Sequence, residues 1–194
     1  MTLWLAQDAA ADELLSTDPF ALLMGMLLDQ QVPLERAFGA PYQLRERLGG
    51  TLDVAAVAGY DTDTLVAVFS RPPALHRFPG AMAQRVQALA RLILDRYDGD
   101  AGAVWRTAVS GKELVKRLQG LPGFGAQKAQ IFVALLGKQL GVRPDGWREA
   151  AGPFGADGVY RSVADISDHA SLDKVRTYKK EMKAAAKASG GRLA

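Results

Sequence analysis

The chain has 194 residues, 48% of them hydrophobic, and its net charge of +3 is unevenly split: residues 1–70 carry −7 and residues 71–194 carry +10. The length buries a substantial core and the composition excludes a disordered chain. The absence of cysteine excludes disulfides, thiol nucleophiles, cysteine-held zinc and any iron–sulfur cluster, and the only two histidines, His76 and His169, are too far apart to pair as ligands, so no catalytic metal site is expected.

The first residues, MTLWLAQDAAADELL, carry acids where a signal peptide needs a basic start, and no apolar run reaches the roughly 18 residues of a spanning helix. A soluble, intracellular protein without a membrane partner is expected. Asp12 to Leu15 reads as the end of a short leading helix. Asp18-Pro19 is a helix start, with Asp18 as N-cap and Pro19 at the first helical position. Phe20 to Leu28 is nearly all apolar, so this helix is expected to be buried all round. It ends in Asp29-Gln30-Gln31-Val32-Pro33, and Pro33 opens the next helix, to about Leu48. Gly49-Gly50 closes that helix. Thr51 to Gly59 and Thr62 to Phe69 read as two short helices, the second capped by Asp61 or Thr62. Ser70 to Gly80, with three prolines and His76, is predicted to be a loop. Ala81 to Tyr97 has Met82, Val86, Leu89 and Ile93 on one helical stripe. Both histidines are expected at the surface or in loops.

Ala101 to Ser110 and a polar, basic helix from Lys112 to Gln119 lead into Gly120-Leu121-Pro122-Gly123-Phe124-Gly125. A second helix is predicted from Ala126 to Leu140, followed by the turn Pro144-Asp145-Gly146. Two helices joined by so tight a glycine hairpin leave backbone N–H groups free at the second helix's start, a ready anion site. Glycines at 123 and 125 allow positive φ and close approach of backbone to a ligand. Val159 to Ile166 is predicted helical. Asp168 or Ser171 caps a last helix to about Ala188, and Ser189 to Ala194 is expected to fray. No strand pattern or repeat is present.

Leu121-Pro122-Gly123-Phe124-Gly125 with Lys128 and Ala129 resembles the helix-hairpin-helix of base-excision DNA glycosylases. Asp145 follows Leu121 by 24 residues, the spacing of that family's catalytic aspartate, and Asp29-Gln30-Gln31-Val32 matches its upstream segment. The resemblance covers about residues 18 to 150. It implies an all-α, two-lobed fold: residues 12–139 as a helical barrel with the hairpin, residues 1–11 and 140–194 as a second lobe, and Asp145 in the cleft between them. The two lobes form one catalytic unit. It implies a monomer that binds double-stranded DNA containing a damaged base, in the cytoplasm and on the nucleoid if the source is bacterial. The amides of Gly123, Gly125 and Lys128 are the implied phosphate contacts, and Gln31, beside Gln30, is implied to fill the hole left by a flipped nucleotide. Related hairpins hold a monovalent cation on backbone carbonyls, here those of Gln119, Leu121 and Phe124; a structural Na or K ion is the sole cofactor so implied.

The chemistry needs a carboxylate beside the sugar, because positive charge grows there as the glycosidic bond breaks. By resemblance, Asp145 takes that role. Relatives with strand-cleaving activity carry a nucleophilic lysine where this chain has Gln127, and an amide forms no Schiff base. The expectation is therefore a monofunctional glycosylase. Lys128, one residue on and rotated by about 100°, is expected to face the phosphates. Adenine-specific relatives place a glutamate where Met26 stands, and Gly146-Trp147 replaces the Thr-His that commonly follows the aspartate. Trp147 and Phe154 are candidates to stack on a flipped base, with alkylated purines the first expected substrate. Arg71, Arg77 and the lysines and arginine at 174, 176, 179, 180, 183 and 187 are candidate phosphate contacts. A protein that keeps the hairpin as a DNA-binding module without glycosylase activity is the alternative.

Overall fold

In a computed structural model that describes residues 2–190, regular structure consists of helices α1 (Ala9–Thr17), α2 (Pro19–Leu28), α3 (Leu34–Arg47), α4 (Val54–Gly59), α5 (Thr62–Ser70), α6 (Pro79–Tyr97), α7 (Ala103–Arg106), α8 (Gly111–Gln119), α9 (Ala126–Gln139), α10 (Trp147–Ala150) and α11 (His169–Gly190), with 3₁₀ turns at Gly152–Phe154 and Val163–Asp165. The fold is all-α; there is no strand among the described residues, and the one isolated bridge joins Ser110 to Asp145.

The central element is α2. Asp18 caps it, with Oδ1 accepting from the amides of Phe20 (2.8 Å) and Ala21 (3.1 Å). Every residue from Phe20 to Leu28 is buried, and each large apolar side chain so removed from water contributes about 1.5–3 kcal/mol. α2 packs on α1, α3 and α6, while α4 and α5 cover α6. α8 and α9 pack together, and α10 lies against both. One cluster of buried apolar side chains runs through all of this, from Leu3 and Leu5 through Phe132 to Val163, Leu172 and Val175. The N-terminal segment is tied down by buried Asp12, whose Oδ1 accepts from the amides of Leu5 and Ala6, both at 2.8 Å.

Several predicted boundaries move for identifiable reasons. α4 starts at Val54 because Asp53, not Thr51, caps it through the Ala56 amide (2.7 Å). α6 absorbs Pro79 and Gly80 at its first turn, where proline's missing N–H costs nothing. Only one turn of helix forms within Ala101 to Ser110. The predicted helix from Val159 to Ile166 is a correction: it contracts to the 3₁₀ turn Val163–Asp165. There Ser162 and Asp165 form a reciprocal cap, and Lys138 of α9 holds Asp165 at 2.6 Å. α11 is capped by Asp168, whose Oδ1 accepts from the Ser171 amide at 2.7 Å. The helix continues to Gly190, so the fraying expected from Ser189 is not seen there, and 191–194 lie outside the described residues.

Candidate functional site

The hairpin between α8 and α9 forms as the sequence predicts. Leu121 and Phe124 are buried and anchor the turn, and Phe124 stacks edge-on to Phe132 with ring centroids 5.8 Å apart. Gly123 has φ +80°, and a Cβ there would meet Leu27 Cγ at 3.3 Å, so glycine is required for both backbone and packing reasons. No side chain caps α9. The amides of Gly123, Gly125, Ala126, Gln127 and Lys128 have no acceptor among the described residues, and Gly123, Gly125, Ala126 and Gln127 are exposed. These donors, at the positive end of a 14-residue helix, suit an anion such as phosphate. Of the three carbonyls implied for a cation, that of Leu121 already accepts from the Phe124 amide (3.1 Å). Its second lone pair is the one a bound Na or K ion could use.

The end of α2 sits directly against this hairpin. Lys128 is a correction to the sequence reading. Its side chain turns inward, and Nζ donates to the carbonyls of Met26 (2.8 Å), Leu27 (3.2 Å) and Asp29 (3.4 Å). It caps the C-terminus of α2 instead of facing phosphates, and burial holds its pKa below the usual lysine value. Gln30 Nε2 donates to the Leu27 carbonyl (2.8 Å), and Gln30 Oε1 accepts from Arg85 (3.2 Å). Gln31 is exposed, in a left-handed conformation with φ +57° that is uncommon outside glycine. The structure thus brings the predicted hairpin and the predicted glutamine segment onto one edge of the molecule.

His76, expected at the surface or in a loop, lies in the loop but is 0% exposed. Its Nδ1 accepts from the Phe78 amide at 3.0 Å, which makes Nε2 the protonated nitrogen. Nε2–H lies 3.2 Å from the Leu28 carbonyl and 3.0 Å from that of Gln30. Burial pushes its pKa down, so the neutral ring is a structural clamp on the α2 terminus. His169 is exposed and stacks edge-on to Trp4 at 4.6 Å.

A groove opens between the α2 end, the first turns of α9 and the exposed face of α11. One cavity of about 260 Å³ is lined by Met26, Asp29, Gln127, Lys128, Ile131 and Lys179, among others. A second, of about 350 Å³, shares Gln127, Ile131 and Lys179 and adds Phe154, Arg161 and Tyr178. A third, of about 260 Å³, shares Asp29 and Lys179 and extends along Leu34 and Arg176. The second is within the range of small-ligand clefts. The Asp29 carboxylate is half-buried and has no hydrogen-bond donor among the described residues. Burial raises its pKa above the usual aspartate value, opposed by the charges of Lys179 and Lys128.

Asp145 is not among the residues that line this groove. It is exposed, its carbonyl accepts from the Gly111 amide at 2.8 Å, and it lines none of the three cavities. Gly111 begins α8, whereas the hairpin follows its last residue. Nine helical residues separate the two ends, about 13 Å at 1.5 Å per residue. Trp147 is also corrected: it is 7% exposed, packed where a Cβ on Gly137 would lie 2.3 Å from its ring. That is a core position, with Arg148 stacked on the ring at 4.7 Å. Phe154, equally buried, does line the second cavity. Gln127 lines two of the three cavities, and its side chain has no hydrogen bond among the described residues.

Sequence reasoning singled out the Asp29-Gln30-Gln31 segment but gave Asp29 no part of its own. The signal was an acid ending a helix otherwise wholly apolar. Of the basic residues on α11, Arg176 pairs with Glu35 at 3.4 Å and Lys174 sits over the Tyr160 ring at 4.3 Å. No protein-family model, curated protein or solved structure matches the chain. No helix among the described residues is long and apolar enough to cross a membrane.

Proposed function

We propose that this protein is a DNA N-glycosylase that binds damaged duplex DNA and hydrolyses the glycosidic bond of a flipped base. One observation carries the reading: five amides of the glycine hairpin have no acceptor among the described residues, and Gln127, which bears one of them, also lines a cavity with Ile131 and Phe154. The amides hold phosphate without reading sequence, and a base extruded beside them meets an apolar and aromatic wall. Gln127 in place of a lysine makes the enzyme monofunctional. In this reading the barrel with the hairpin and the remaining helices act as two lobes about that groove, and the carbonyls of Gln119, Leu121 and Phe124 hold a structural Na or K ion. Alkylated purines, whose electron-poor rings favour aromatic faces, are the first substrate class.

The test incubates the protein with duplexes carrying a methylated purine, hypoxanthine, uracil or 8-oxoguanine, then treats them with alkali. Alkali-dependent strand breaks at the lesion, with no borohydride-trapped protein–DNA adduct, are the expected result. A trapped adduct overturns the monofunctional assignment, and intact strands throughout overturn the glycosylase reading for these lesions. A second reading, a DNA-binding module without glycosylase chemistry, is favoured by the exposed position of Asp145 away from the groove. It predicts salt-dependent duplex binding with no strand breaks.

A further inference from the structure

We infer that a cleft between α11 and the segment before the Ser162 cap holds an unpaired DNA strand, with its bases stacked on Tyr160 and Tyr178. The cleft takes such a strand whether or not the protein cleaves glycosidic bonds. Its volume is about 530 Å³, larger than each cavity of the groove. Lys174, Thr177, Tyr178 and Glu181 recur along α11 at steps of three and four residues, so one face of that helix forms a wall. Tyr160 and Arg161 belong to the facing segment. Arg161 is fixed there: its amide donates to Asp165 Oδ2 at 2.9 Å, and its Nη1 donates to the Pro153 carbonyl at 3.1 Å. Arg161 and Tyr178 are common to this cleft and to the 350 Å³ cavity of the groove. A strand bound at the groove reaches the cleft past these two side chains.

Both tyrosines are half-buried. Neither ring stacks on another aromatic ring among the described residues, whereas the core rings of Trp105, Phe124 and Phe132 do. The Tyr178 hydroxyl has no hydrogen bond among the described residues. Tyr160 is covered by Lys174, whose Nζ lies 4.3 Å from the ring centre and 3.3 Å from the hydroxyl. Lys174 is exposed on a flexible stem, and an exposed cation–π contact is weak, so the ammonium leaves the ring for a phosphate at little cost. A nucleobase takes its place. Every base has a π-face, so this stacking holds a strand without reading its sequence. Lys174, Arg161 and Lys179 supply the positive charge that meets its phosphates. Asp173 and Glu181 line the same cleft and repel phosphates, which leaves their side to the bases. A duplex keeps its bases paired inside and offers no π-face to such walls; an unpaired strand offers one at every nucleotide.

Fluorescence anisotropy compares a blunt duplex with the same duplex bearing a short unpaired thymidine extension at its 5′ or its 3′ end. Wild type is expected to bind one of the extended duplexes about twentyfold or more tightly than the blunt one, since each ring that stacks a base contributes about fivefold or more. Tyr160→Leu keeps the apolar bulk and removes the π-face. It is expected to lose about fivefold of that gain and to bind the blunt duplex as wild type does. Tyr160→Phe, which keeps the ring, is expected to retain the full gain. In wild type, 5-iodouracil placed in the extension is expected to photocrosslink to Tyr160 or Tyr178, a readout that does not depend on the folding of any variant. No gain from either extension overturns the proposal and leaves the duplex reading standing. A gain undiminished in Tyr160→Leu, or crosslinks confined to other residues, also overturns it. So does a gain confined to an RNA extension, and so does a dimer, lost in Tyr160→Leu, that excludes the strand. Extended duplexes bound through their single strands alone, with no binding of the blunt duplex, refute the duplex reading and leave the cleft.

Discussion

Replacing Lys128 with methionine separates two roles that the same residue could have at a DNA-binding hairpin. Methionine keeps most of the apolar stem and removes the ammonium. Three donors are then lost from the carbonyls of Met26, Leu27 and Asp29, at 2.8, 3.2 and 3.4 Å. The two shorter bonds dominate. Hydrogen bonds from a charged donor are worth about 1.5–3 kcal/mol each, and carbonyls left unpaired cost a comparable amount. Against that stands recovery of the burial cost that depresses the lysine's pKa. Partial exposure reduces both sides. The net loss is about 2–3 kcal/mol, or roughly 4–10 °C in melting temperature for a domain of this size. The assay is urea denaturation at pH 7 followed by circular dichroism, beside duplex affinity measured at several salt concentrations. The α2 cap requires lower stability with an unchanged salt slope, provided measurements are made where the variant is folded. A stability change below about 0.5 kcal/mol with a slope reduced by about one charge refutes the capping argument and makes Lys128 a phosphate contact.

Other perturbations follow from the same geometry. His76 is held neutral, with its folded pKa below its unfolded value near 6.5. Its contribution is therefore complete above that pH and lost as pH falls below it, since the unfolded chain takes up the proton first. Wild type should lose stability more steeply than His76→Gln as pH falls below about 6.5 in urea titrations, and parallel curves would disprove the clamp. Gly137→Ala should cost about 1–3 kcal/mol, because a Cβ would lie 2.3 Å from the rigid Trp147 ring; an unchanged melting temperature and tryptophan near-UV spectrum would contradict that packing. Asp165→Ala should cost about 3–5 kcal/mol by leaving Lys138 without its buried 2.6 Å partner and removing the acceptor for the Arg161 and Ser162 amides. Lys180→Ala with Lys183→Ala should lower the salt slope of duplex binding by about 1–2 without altering stability, if α11 tracks the phosphate backbone; an unchanged slope removes that helix from the interface.

The legible parts of this chain are those whose causes are local. Asp18-Pro19 ahead of nine apolar residues specifies both the start of α2 and its burial, and Leu121 to Gly125 specifies a hairpin because its two buried anchors and its positive-φ glycine lie within five residues. Less legible are the features set by distance in space and not by distance along the chain. Where Asp145 sits is set by the path of the chain, which turns after α9 at Gly141, with φ +70°, and runs to the start of α8, where the Gly111 amide holds the Asp145 carbonyl. The expected helix at Val159 to Ile166 lost to a capping box and to an ion pair with Lys138, partners that no local pattern shows. Lys128 fitted a phosphate role by helical phase alone, but a long flexible stem lets its ammonium reach backward to α2, over about 100 positions of sequence. The groove is the extreme case. Asp29 and Lys179 stand 150 residues apart in sequence, and only the packing of α11 beside the α2 terminus brings them to shared cavities. An acid ending an apolar helix is a visible anomaly in sequence; the lysine that shares its cavities is brought there by tertiary structure alone.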